Sequence, residues 1–170
     1  MQQPIAYMMT WTTYGSWLQG DERGYVKDGM IHEANKGLNQ ANRALMKCPE
    51  VKLTLDQRQI VANALHREAE LLGQEIYAIA VGKNHVHLAV SFTNMDAGLA
   101  VSHYKNASRL AMQDNGFIGK LWTRGFSKRY CFDEQQLQAV IAYVNGHNKS
   151  ENPQHKVGGL QVWTVRSENS

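Results

Sequence analysis

Cysteine, proline and long apolar stretches are all scarce in this 170-residue chain. Its two cysteines, Cys48 and Cys131, fall in no metal-binding or redox spacing. That excludes a disulfide-built scaffold and a thiolate metal centre, and two reduced thiols in a cytoplasmic protein are expected. Three prolines are too few for a polyproline or collagen-like chain. The longest clean apolar run, Ile76 to Val81, is six residues against the roughly 20 of a bilayer span, so no membrane association is expected. The opening Met-Gln-Gln-Pro places no cation ahead of the first apolar stretch, so no secretory signal is expected. Charged residues make up 19% of the chain and hydrophobic ones 43%, a balance that excludes a disordered tail. The length, residues 1–170, suits one domain with its own core.

The net charge of +3 is unevenly placed. Residues 101–130 carry Lys105, Arg109, Lys120, Arg124, Lys128 and Arg129 against the single acid Asp114, a local charge of +5 that leaves −2 for the rest. Tyr104, Phe117, Trp122 and Phe126 are interleaved with these cations. Cations for phosphate and rings for bases suit a nucleic-acid surface. A solvated face above core aromatics has the same composition, and charge alone does not separate the two.

Along the chain, residues 5–13 alternate Ile5, Tyr7, Met9 and Trp11 with Ala6, Met8, Thr10 and Thr12, which predicts a strand. Residues 19–53 keep no period and read as an insertion holding a short hairpin or helix. Thr54 and Gln57 form a capping-box pattern opening a helix to about Leu72, with Gly73 as its stop. Its apolar stripe is read as Ile60, Ala64, Leu65, Glu68 and Leu71/Leu72. Strands 75–81 and 85–92 follow, joined by Gly82-Lys83-Asn84. A second helix is expected over about 96–114 with Tyr104, Ala107, Leu110 and Ala111 facing inward, then a short irregular strand within 120–132. Asp133 caps a last helix over about 134–147, with Leu137, Val140, Ile141 and Val144 as its buried stripe. A polar tail after about 150 contains a possible strand at Leu160–Val165. This order predicts an α+β fold, a ferredoxin/RRM-like antiparallel sheet with helices on one face.

Strand 85–92 is the informative one. Val86, Leu88, Val90 and Phe92 point one way, and His85, His87, Ala89 and Ser91 the other. Histidines at i and i+2 share a face, roughly 6–7 Å apart along the strand, a separation that suits joint ligation of one ion. Taken alone, such a pair is more commonly an exposed polar pair. Tyr143 and His147, one turn apart on the last helix, lie at a margin of its apolar stripe. A helix edge flanking the polar face of the sheet would bring His147 to the pair and set Tyr143 beside it. The plainer alternative is a core-edge tyrosine and a histidine favoured by the helix C-terminal dipole. Asn84 reads as support for the pair or, more commonly at such a position, only as a turn residue.

Asn84-His85-Val86-His87, followed by a distant helix bearing Tyr143, resembles the His-hydrophobic-His motif of the HUH single-tyrosine transposases. Met9-Thr10-Trp11-Thr12-Thr13-Tyr14-Gly15, His103-Tyr104-Lys105, Leu121-Trp122-Thr123-Arg124-Gly125 and Tyr143-Val144-Asn145-Gly146-His147-Asn148 are similar to the REP-associated branch of that family. The resemblance covers about residues 5–18 and 74–148. It implies that His85 and His87 bind a divalent ion, Mg²⁺ or Mn²⁺, and that Tyr143 is the nucleophile. The third ligand position, commonly Gln or Asn, is His147 here, which shifts the donor set toward softer ions. An Asn-Pro pair common at this point is replaced by Asn148-Lys149.

The implied activity is nicking and strand transfer on single-stranded DNA beside a hairpin, through a 5′-phosphotyrosine. Lys105, Arg109, Arg124, Lys128 and Arg129 are the expected phosphate contacts. The likeness of the opening residues to the REP-associated branch implies a monomer in preference to a homodimer. The alternative is a catalytically silent single-stranded nucleic-acid-binding module on the same fold, which has no need of Tyr143, His85, His87 and His147 together.

Overall fold

The computed structural model describes residues 2–16, 25–27, 30–46 and 48–151. The elements run β1 (Ala6–Thr12), β2 (Tyr25–Lys27), β3 (Met30–His32), α1 (Lys36–Ala44), α2 (Leu55–Leu72), β4 (Ile76–Val81), β5 (His85–Ser91), α3 (Ala97–Asp114), β6 (Ser127–Cys131) and α4 (Glu134–Glu151). The expected tail strand at Leu160–Val165 lies outside the described residues. The stretch read as an insertion carries both a paired β2–β3 and the helix α1.

Four strands form one antiparallel sheet in the order β4-β5-β1-β6. Local chemistry sets the helix ends. Thr54 accepts from the Gln57 amide while Gln57 accepts from the Thr54 amide, closing the capping box of α2. Gly73 ends that helix at φ 65°, a left-handed conformation that a side chain would strain. Asp96 caps α3 through the Gly98 and Leu99 amides, and Asp133 Oδ1 accepts from the Gln136 amide at the start of α4.

The sheet buries both faces. Tyr7, Met9 and Trp11 of β1 join Val86, Leu88 and Val90 of β5 against Val61, Leu65, Val101 and Tyr104 of α2 and α3. The other face is small: Ala6, Ala78, Ala80, Ala89 and Cys131 meet Leu137, Val140 and Val144 of α4. The α+β antiparallel class is as expected, and α2 and α3 share one face as read. The expectation that all helices gather there is corrected for α4, whose apolar stripe packs on the alanine-lined face opposite. Two stripe readings are corrected as well. Leu71 is 81% exposed and Leu110 46% exposed. Ala64 and Leu65 of α2 are buried as read, and its stripe also takes in Arg58, Val61, Ala62 and Ala69. At about 100° per residue, Leu110 lies some 240° around α3 from the buried Tyr104.

No helix among the described residues is long and apolar enough to cross a membrane.

Candidate metal and nucleophile site

Alternation along β5 sends His85 and His87 to the face that α4 covers, because Val86, Leu88 and Val90 are committed to the opposite core. The two imidazole centroids lie 4.8 Å apart. Across them runs α4, placing the His147 ring 4.4 Å from His87 and 5.4 Å from His85. One ligand nitrogen from each of the three lies within 4.8 Å of the others. Tyr143, a turn earlier, sits 4.7 Å from His147 and 5.4 Å from His87, ring to ring. Its side chain is about half exposed, whereas His87 is 6% exposed. A histidine cluster with its central ring buried and an open phenol therefore share the face of the sheet that α4 covers.

Neighbouring side chains hold the rings. Thr10, the register partner of His87 on β1, brings its hydroxyl 2.8 Å from His87 Nδ1. Asn84 Oδ1 lies 3.0 Å from His85 Nδ1. An amide oxygen only accepts, so that ring carries its proton on Nδ1 and keeps Nε2 as the ligand atom. Burial, reinforced by His85 and His147, pushes the pKa of His87 down to about 3. The cluster's central ring is thus neutral at physiological pH, the form a metal requires.

The far end of α4 is fastened too. Gly146 should weaken the helix, yet α4 continues to Glu151, four residues past the expected end. Asn148 is buried, and its Nδ2 donates to the Ile79 carbonyl of β4 at 3.0 Å. That bond ties the turn carrying His147 to the sheet. Thr10 and Asn148 escaped the sequence reading, although both had a signal. Thr10 lies on the polar side of β1, and Asn148 continues the 137-140-144 spacing of the buried stripe.

The five expected phosphate contacts are not brought onto one track. Arg129 faces Met8 across the β1–β6 ladder, on the histidine side of the sheet. Arg124 is exposed, next to Thr123, whose hydroxyl meets that of Thr12, the register partner of His85. Lys128 lies on the opposite face with its ammonium 5.5 Å from the Tyr130 ring. Arg109 belongs to α3, in the layer beyond the sheet, and donates to Asn106 and Gln113 of the same helix. Lys105 is turned inward: its Nζ donates to the carbonyls of Thr123 and Gly125 at 2.9 and 2.7 Å.

No family model and no curated protein sequence matches the chain. Among solved structures, a Deinococcus radiodurans protein described as a transposase aligns at a TM-score of 0.45 and 16% identity, over 86% of this chain and 93% of its own. A REP-associated tyrosine transposase, solved bound to a REP hairpin, aligns at a TM-score of 0.56 and 11% identity, over 89% of this chain and 72% of that one. Over that span, the chain shares the antiparallel α+β fold of a REP-associated tyrosine transposase.

Proposed function

We propose that residues 1–170 form one domain acting as a divalent-metal-dependent single-stranded DNA transposase, with Tyr143 as nucleophile and His85, His87 and His147 as metal ligands. One observation carries this reading: elements about 60 residues apart in sequence converge to set a half-exposed phenol against three clustered imidazoles. The fold's neighbour was solved on a hairpin DNA, and a hairpin-flanked single strand is the substrate proposed for this chain. A monomer is the proposed working unit.

The donor set fits a divalent cation. Three imidazole donors, two of the rings held through Nδ1, favour Mn²⁺ over the oxygen-seeking Mg²⁺. The chemistry such an ion supplies is polarisation of the scissile phosphate and neutralisation of charge on its oxygens. The residues do the rest. Tyr143, open to solvent on one side, presents its hydroxyl to an incoming strand. Its oxygen bonds to phosphorus, the bond from phosphorus to the 3′-oxygen breaks, and the phenolic proton is lost. The departing oxygen takes up a proton to become a 3′-hydroxyl, and the 5′-phosphate remains on Tyr143. Because that linkage is still a phosphodiester, a second 3′-hydroxyl can reverse the step elsewhere without ATP. Arg129, on the histidine side of the sheet, and the exposed Arg124 beside Thr123 are the proposed contacts to the strand backbone.

Labelled hairpin oligonucleotides incubated with protein and Mn²⁺ or Mg²⁺ test the reading on a denaturing gel. A metal-dependent covalent adduct that disappears in Tyr143→Phe is expected. Tight binding with no adduct under either metal would instead assign a silent binding module.

A further inference from the structure

Lys105 was expected at the DNA backbone, and its surroundings argue otherwise. Its Nζ spends two of three N–H bonds on the carbonyls of Thr123 and Gly125, the residues on either side of Arg124. Gly125 adopts φ 90°, a backbone turn that suits glycine. Trp122 closes the same segment from its other end, with Nε1 donating to Ser108, one turn along α3 from Lys105. From there the segment reaches β1. The Thr123 amide donates to the Thr12 carbonyl, the two threonine hydroxyls lie 2.8 Å apart, and Thr12 is the partner of His85. A continuous set of hydrogen bonds thus runs from α3, on one side of the sheet, to the edge of the histidine site on the other.

We propose that Lys105 is a positioning residue: by bonding the carbonyls of Thr123 and Gly125 it fixes the backbone on either side of Arg124 so that this guanidinium is held at the His85 end of the site to receive a DNA phosphate. The proposal rests on the nucleic-acid reading above and assigns the phosphate contact to Arg124, with Lys105 acting through it. Burial also lowers the Lys105 pKa, in keeping with a cation withdrawn from solvent.

Two measurements test it. The first needs no DNA: hydrogen exchange over residues 122–126 should accelerate in Lys105→Met while α2 and β4 keep their protection. Unchanged exchange in that segment overturns the proposal, whatever the protein binds. The second is a binding cycle on single-stranded hairpin DNA across a salt series. Arg124→Gln and Lys105→Met should each weaken binding about fivefold at 0.1 M salt and flatten the log–log salt slope by about 0.7, one single-strand phosphate. The double variant should be no worse than either single. Multiplicative losses would make Lys105 an independent phosphate contact and refute the positioning role. If the wild type shows no salt-dependent binding, the nucleic-acid reading fails, and with it the Arg124 assignment, while the exchange result still decides whether Lys105 holds the segment.

Discussion

His87 makes the metal-free protein sensitive to acid in a way that can be calculated. Its folded pKa, about 3, lies below the ordinary value of 6.5. Between those values the unfolded chain takes up a proton that the native state refuses. Stability is therefore complete above pH 6.5 and falls as the pH drops toward 3, by roughly 1.4 kcal/mol per unit. At pH 5 the loss is about 2 kcal/mol, and across the whole window about 5 kcal/mol. The assay is urea unfolding in EDTA at half-unit steps from pH 7.5 to 4, followed by tryptophan fluorescence. His87→Gln keeps a polar group near Thr10 but cannot titrate, so its stability should vary much less over this window. Equal slopes in the two proteins would refute the claim that His87 is held neutral by its surroundings.

Three further outcomes follow from the same geometry. Thr10→Val removes the hydroxyl beside His87 at nearly constant volume and should weaken Mn²⁺ binding, measured by calorimetry, about 10- to 100-fold. Asn148→Ala deletes the bond to the Ile79 carbonyl and should cost about 1–3 kcal/mol in thermal unfolding, with a further loss of Mn²⁺ affinity as the His147 turn loosens. An unchanged affinity would show that Asn148 does not position that turn. Ala80→Leu, under α4 and opposite His87 in the ladder, should cost about 1–3 kcal/mol by overpacking and also reduce metal binding.

Sequence patterning reached the fold through its local rules. Period two in β1 and β5, the Thr54–Gln57 box and the Asp133 cap are short-range features, and β1, α2, β5 and α4 each start within a residue or two of the expected place. The histidine pair was readable for the same reason, since alternation alone puts His85 and His87 on one face. What local rules do not carry is which face a helix chooses. Placing α4 opposite α2 and α3 depends on Ala6, Ala78, Ala80 and Ala89 leaving room for Leu137, Val140 and Val144, a match between distant residues. Lys105 escaped for a related reason: a lysine in a basic segment looks solvent-facing, and only the fold brings two backbone carbonyls to it. The histidine, tyrosine and histidine positions of the site were all legible. The side chains that hold them, Thr10 and Asn148, depend on cross-strand register and helix docking.

The alanines beneath α4 make the clearance between phenol and imidazoles a matter of thickness. Each methyl acts as a shim between helix and sheet, so the gap is set from below by residues outside the histidine and tyrosine cluster. Because Tyr143 and His147 ride on the same helix, a thicker shim lifts both from His85 and His87 together. The bulk of residues 6, 78, 80 and 89 thus couples the exposure of the phenol to the closeness of the three imidazoles.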